Sequence, residues 1–172
     1  MSSYEMGKPE ICSWIREHYP QGATCLDVGA CDGLWYDLLG HYLVMDAIEI
    51  WEPNISYHNL KDKYRLVIWG DIAKRAYPHY NLIIFGDVLE HMPVKDAQEV
   101  LAYADTHSDD YIVALPFNYY QGAIYGNPYE RHLQPDLTPE VVAERYPQLE
   151  PIWQDLSYAY YHRRDAHGWQ QV

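Results

Sequence analysis

The nine residues Cys25-Leu26-Asp27-Val28-Gly29-Ala30-Cys31-Asp32-Gly33 combine two glycines with two carboxylates at the end of an apolar run. Glycine in such a place lets the backbone turn tightly and approach a ligand with no side chain in between. A carboxylate there can anchor loop amides. Three more apolar runs end in the same manner: Ala47-Ile48-Glu49-Ile50-Trp51, Gly70-Asp71-Ile72, and Gly86-Asp87-Val88-Leu89-Glu90-His91. This is chemistry for holding a ligand beyond strand ends.

Strands and helices alternate around these stretches. Helical spacing runs from Pro9 to Tyr19, Leu34 to Gly40, Glu52 to about Lys61 and Pro93 to about Thr106. Strands are expected at Ala23–Val28, Val44–Ile50, Tyr64–Trp69, Asn81–Gly86 and Tyr111–Leu115. The unbroken apolar run Leu82 to Phe85 implies burial on both faces, as in a parallel sheet. After Pro116 a loop rich in Tyr, Asn, Gly and Pro extends to Pro135. Thr138-Pro139 then caps a last helix, and two short strands, Pro151–Asp155 and Tyr158–Arg163, make a closing hairpin. Ligands in an open α/β sheet sit beyond the carboxyl ends of the strands, where the glycine stretch falls.

Several chemistries are excluded or weakened. A GxGxxG dinucleotide fingerprint starting at Gly29 fails at Cys31 and at Leu34, and no GxxxxGK phosphate loop follows. Nine histidines and three cysteines show no CxxC or HExxH spacing, so no metal is expected. Cys31 has no base beside it in sequence and reads as a small filler rather than a nucleophile. The net charge of −13 disfavours nucleic acid as partner, as does the lack of an Asn/Asp-Pro-Pro-aromatic tetrapeptide. At 172 residues and 48% hydrophobic the chain has the size of one domain. No apolar stretch reaches membrane-spanning length, and Met1 to Glu10 is polar, so the expected location is the cytoplasm.

Taken together, the stretches resemble the class I S-adenosylmethionine-dependent methyltransferases. Asp27, Gly29 and Gly33 match the first motif, an acidic residue followed by GxGxG, with Cys31 in place of the middle glycine. Glu49, 20 positions after Gly29, matches the acidic residue that binds both ribose hydroxyls. Ile50 and Trp51 match the hydrophobic segment on the adenine, and Gly70, Asp71 and Ile72 the segment that meets its amino group. The run Asn81 to Pro93, with its Val-Leu-Glu-His ending, is similar to the strand-four motif, although many members begin it with Asp. The similarity extends from about Pro9 to Pro116 and weakens in the tail. It implies a three-layer Rossmann-like α/β sandwich with a mostly parallel seven-stranded sheet and a C-terminal antiparallel hairpin. It also implies one domain, with a cofactor core over 8–116 and an acceptor loop, last helix and hairpin over 117–172.

The cofactor implied is S-adenosylmethionine, with S-adenosylhomocysteine as product. Its expected contacts are Asp27, Gly29, Ala30, Cys31, Gly33, Glu49, Ile50, Trp51, Gly70, Asp71, Ile72, Gly86, Asp87 and Val88. Asp87, His91 and His132 are the candidates for a catalytic group, and Phe117, Asn118, Tyr119, Tyr120, Arg131 and His132 for the acceptor pocket. Some readings stay double. Asp71 either meets adenine or caps the next helix, Trp51 serves ligand or core, and His91 acts or packs. The tyrosine-rich loop either encloses an acceptor or is plain surface. The reaction expected is direct in-line methyl displacement onto a small-molecule acceptor, where positioning contributes roughly 7 to 11 kcal/mol. The alternatives are a non-catalytic S-adenosylmethionine- or nucleotide-binding module and a nucleotide-sugar or NAD enzyme on a similar sheet. The tyrosine-rich hairpin offers a surface for a homodimer.

Overall fold

A computed structural model of the chain describes residues 7–164. Residues 1–6 of the polar N-terminal segment and residues 165–172 after the hairpin lie outside that range. Seven strands form one sheet: β1 (Thr24–Val28), β2 (Val44–Glu49), β3 (Val67–Trp69), β4 (Tyr80–Gly86), β5 (Ser108–Pro116), β6 (Leu149–Gln154) and β7 (Tyr158–Arg163). Their spatial order is β3-β2-β1-β4-β5-β7-β6. Every pair among the first five is parallel, and β7 runs antiparallel to both neighbours, so it alone is reversed. The chain order turns back between β1 and β4, which opens a crevice at their carboxyl ends.

The apolar run of β4 is buried on both faces because helices cover both. Leu82 and Ile84 join Ile11 and Ile15 of α1 (Lys8–His18), Trp35 and Leu39 of α2 (Leu34–Leu39) and Ile55 of α3 (Glu52–Tyr57) in one core. Ile83 and Phe85 point the other way, against Val100, Leu101 and Ala104 of α5 (Val94–His107) and Val142 of α6 (Pro139–Arg145). This is a three-layer sandwich with two cores. α6 starts as its sequence suggests, with the Thr138 hydroxyl accepting from the Val141 amide at 3.2 Å.

Two elements differ from the pattern read in the sequence. The single helix expected from Glu52 is split into α3 and α4 (Leu60–Lys63), because Asn59 adopts φ 52° in the left-handed region and ends the first helix. β3 starts at Val67 rather than Tyr64. Tyr64 turns inward, and Arg65 stays exposed while reaching a buried carboxylate. The Tyr64 hydroxyl donates to the Asp27 carboxylate, and Arg65 forms a fork on Asp46 with bonds of 2.9 and 2.6 Å. At the same end of the sheet, Asn81 accepts from the Thr24 amide at 3.0 Å and donates to Asp109 at 2.8 Å. An aspartate at that position lacks the donor that the second bond uses.

Asp27 lies inside β1 with 1% of its surface exposed, and its second oxygen has no hydrogen-bond partner among the described residues. Burial pushes its carboxyl up to about 7, against the lowering by the Tyr64 hydroxyl. The folded chain therefore keeps a proton that the unfolded chain loses near pH 4. Stability from this group is present in full below about pH 4 and is lost as pH rises through about 7. Asp27→Asn keeps an acceptor for Tyr64 and should remove that loss. Denaturant melts of both proteins from pH 4 to 8 should show a difference growing with pH, up to a few kcal/mol at about 1.4 kcal/mol per unit. Parallel pH profiles would contradict the assignment. Ile84→Ala, at a fully buried site in the core under α1 to α3, should cost about 2 to 5 kcal/mol in the same melts.

Candidate active site

The loop after β1 turns tightly at the edge of the crevice. The Gly29 amide extends the β1–β2 ladder by donating to the Ile48 carbonyl at 2.9 Å, and the chain then reverses, with the Gly33 amide on the Ala30 carbonyl at 2.7 Å. Gly29 has φ 69°, and a Cβ there would meet Val88 Cγ2 at 2.9 Å. Only glycine lets the loops after β1 and β4 come this close. Cys31 itself sits at φ 50°, so the non-glycine residue in the motif occupies a conformation that favours glycine. Asp32 closes the turn by accepting from the Leu34 amide at 3.2 Å, and Lys63 reaches the Asp32 carbonyl at 3.1 Å.

Glu49, at the tip of β2, ties this loop to its neighbour. One oxygen accepts from the Cys31 amide at 2.8 Å and the other from the Trp51 amide at 2.7 Å. The side chain is 3% exposed, and burial raises its pKa despite those two amides. Each carboxylate oxygen has further lone-pair capacity for a ligand hydroxyl.

Asp87, just beyond β4, has φ 56° and receives the hydroxyl of Tyr158 from β7. Asn118, two residues past β5, has φ 48°. Three of the five left-handed non-glycine residues thus follow the ends of β1, β4 and β5. Such conformations carry a cost of about 1 to 3 kcal/mol each and concentrate at functional sites. The indole Nε1 of Trp35 is buried beside Gly86 with no hydrogen-bond partner among the described residues, where a Cβ on Gly86 would approach it to 2.5 Å.

These groups surround a cavity of about 580 Å³, within the usual range for a small-molecule site. Its described lining includes seven acidic residues, Asp32, Glu49, Asp71, Asp87, Glu90, Asp96 and Glu130, and no lysine or arginine. Gly29, Ala30, Cys31, Ile50, Gly86 and Val88 also line it. At the far end stand Phe117, Tyr119, Gln121 and Tyr129, with His91 and His132 in ring contact at 4.7 Å. Burial and the neighbouring His132 hold the His91 imidazole down to about 4, and burial lowers His132 as well. Both rings are neutral at physiological pH.

Other expected residues stand back from the cavity. Asp27 supports the loop from within β1, and Gly33 caps α2. Trp51, whose amide serves Glu49, faces Tyr129 edge-on at 6.3 Å. Gly70, Ile72, Asn118, Tyr120 and Arg131 do not line it. Asp71 lines the cavity and also caps a short turn, accepting from Ala73 at 3.0 Å and pairing with Lys74 at 2.9 Å. Trp35, Asn54, Glu90 and Tyr158 join the site without having been singled out from the sequence. Glu90 was visible in the Val-Leu-Glu-His run. Tyr158 is brought to Asp87 from 71 residues away and leaves no local signal.

No family model matches the chain, and no curated protein matches it in sequence. Solved structures do resemble it. The 1,6-didemethyltoxoflavin N1-methyltransferase of Burkholderia thailandensis, solved with 1,6-didemethyltoxoflavin and S-adenosylhomocysteine, superposes with a TM-score of 0.68 at 15% identity over 92% of this chain and 78% of that one. An S-adenosylmethionine-dependent methyltransferase of Clostridium acetobutylicum gives 0.67 at 11% over 88% and 87%. The magnesium protoporphyrin IX methyltransferase of Synechocystis, with S-adenosylhomocysteine bound, gives 0.65 at 13% over 90% and 80%. With the strand order, the reversed β7 and the loop after β1, these similarities show that the chain has the Rossmann-like fold of the class I S-adenosylmethionine-dependent methyltransferases.

Proposed function

We propose that this chain is an S-adenosylmethionine-dependent methyltransferase acting on a small molecule. The observation that carries the reading is Glu49, a buried carboxylate at the tip of β2 whose two oxygens are held by loop amides at the edge of the cavity. A pair of vicinal hydroxyls, as on a ribose, suits two such oxygens. The remaining residues fit the same ligand. The close approach at Gly29 leaves room for backbone contact, and the orphaned Trp35 Nε1 offers a donor. Seven lining acids with no opposing lysine or arginine suit a cation.

When bound, the cofactor supplies an electrophilic methyl group on a sulfonium. Glu49, Ile50 and the loop of Gly29 to Cys31 hold it, and Asp87, oriented by Tyr158, stands at the turn after β4. Phe117, Tyr119 and Tyr129 enclose the acceptor and keep water away from it. Alignment of this kind is the main contribution a protein makes to a direct displacement. The neutral imidazoles of His91 and His132 are able to take a proton where the acceptor carries one. The described residues contain no helix long and apolar enough to cross a membrane. We place the protein in the cytoplasm on this reading, and assign the β6–β7 hairpin as the face for a second copy.

Calorimetry with S-adenosylhomocysteine tests the cofactor. Binding in the micromolar range is expected, and no heat up to about 1 mM, a binding energy near 4 kcal/mol, would sink the reading. Glu49→Ala should weaken binding by at least tenfold, the loss of one or two charge-assisted hydrogen bonds. A variant that melts like the parent and binds with unchanged affinity would show that Glu49 does not meet the ligand.

A further inference from the structure

At the acceptor end of the cavity one buried carboxyl group takes no hydrogen bond from any other described residue. Glu90 is fully buried, and neither of its carboxylate oxygens has a hydrogen-bond partner from another described residue. Leaving such a group unmatched is expensive. Its backbone is well supplied. The Glu90 carbonyl accepts from the amides of Leu133 at 2.8 Å and Gln134 at 3.0 Å, and Gln134 Nε2 donates to the Leu89 carbonyl at 2.8 Å. The turn Leu89–His91 is thereby clamped to the segment 131–134, which brings His132 beside His91.

Both imidazoles are set in one tautomer by backbone carbonyls. His91 Nδ1 donates to the Arg131 carbonyl at 3.1 Å, and His132 Nδ1 donates to the Tyr119 carbonyl at 2.8 Å. Nε2 is then the lone-pair nitrogen on each ring. His91 Nε2 lies 4.0 Å from Glu90 Oε1. One ligand-type atom from each of Glu90, His91 and His132 lies within 4.8 Å of the others. An N–H donated to a backbone carbonyl is the usual support of a metal-binding histidine, since it fixes the ring and raises its basicity.

We propose that Glu90, His91 and His132 form a site for a divalent first-row transition ion, zinc or a close analogue. Two imidazoles and one carboxylate are the donor set such ions take when a coordination position is kept open. Donors about 2.1 Å from one ion at the tetrahedral angle sit about 3.4 Å apart, so the trio must draw in by about an ångström or somewhat more on loading. All three residues line the cavity, so the positions they leave open face it, and an ion holding both Nε2 lone pairs would replace the two imidazoles as the group that eases loss of the acceptor's proton. On the methyltransferase reading above, the acceptor is then an oxygen compound able to bind such an ion, as a phenol, an enol or a hydroxy acid is. This last step rests on the proposed function. The metal site does not.

The test is a titration of chelator-treated protein with Co²⁺, whose visible absorption reports its ligands, followed by displacement with Zn²⁺. One equivalent should bind. In the parent protein, the proton spectrum should show paramagnetic shifts on two of the nine histidine rings, which needs no variant. Glu90→Gln, His91→Ala and His132→Ala should each weaken Co²⁺ binding at least tenfold, with thermal melts to confirm that they fold. No saturable binding up to about 1 mM would overturn the proposal. So would binding that survives all three substitutions, or shifts on other histidines. Calorimetry with S-adenosylhomocysteine on the metal-free protein keeps the two readings apart. Cofactor binding without cobalt binding overturns the metal site alone, and cobalt binding without cofactor binding overturns the cofactor alone.

Discussion

The crevice depends on the grip of Glu49 on two backbone amides. β1 and β2 are adjacent parallel strands, and parallel strands leave their ends as separate loops that nothing in the ladder joins. The Glu49 carboxylate joins them, one oxygen on the loop after β1 and the other on the turn into α3. The same two bonds explain why a charge is tolerated at 3% exposure, since amide donors favour the ionised form while burial opposes it. That link supports the strained Cys31 turn from outside, alongside the bond of Lys63 to the Asp32 carbonyl. A ligand that adds donors to the same oxygens finds the arrangement already made.

The sheet was largely legible in the sequence, and the reason is burial. A strand covered on both faces must be apolar throughout, so Leu82 to Phe85 announced itself, and β7 matches Tyr158–Arg163 to the residue. Glu49 and the Gly29–Gly33 loop were legible because strand ends at fixed spacing put them there. Less legible was anything decided by one backbone angle or by a distant partner. Asn59 splits a helix whose apolar pattern continues past it. Tyr64 has strand-like chemistry but spends its hydroxyl on Asp27. The partnership of Asp87 with Tyr158, and of His91 with His132, spans loops whose paths no local pattern specifies. Spacing rules for metal ligands work within one element, and these two histidines come from different ones.

Resemblance at 11 to 15% identity alongside TM-scores of 0.65 to 0.68 follows from the same physics. A core of this kind asks for apolar side chains of suitable volume on alternating faces, a demand that many residues satisfy. The loops ask for more specific things, a left-handed turn or a carboxylate at a strand tip, and there only a few positions are constrained. Function resides in those positions rather than in the sheet.

The two ends of the cavity differ in kind. Around Glu49, Asp32 and Asp87 the acids are held by amides or a hydroxyl, so donors of the protein already meet them. Around Glu90 stand two neutral imidazoles and the carboxyl groups of Asp87 and Glu130, and no other described residue gives its side chain a hydrogen bond. A permanent cation is matched at the first end without further help. At the second end matching charge requires something brought in from outside, whether a proton or a metal ion. The clamp between the turn Leu89–His91 and the segment 131–134 holds that end in shape in the meantime, through backbone groups and the Gln134 side chain. A loop that merely covered the surface would not need four hydrogen bonds to set two histidine rings side by side.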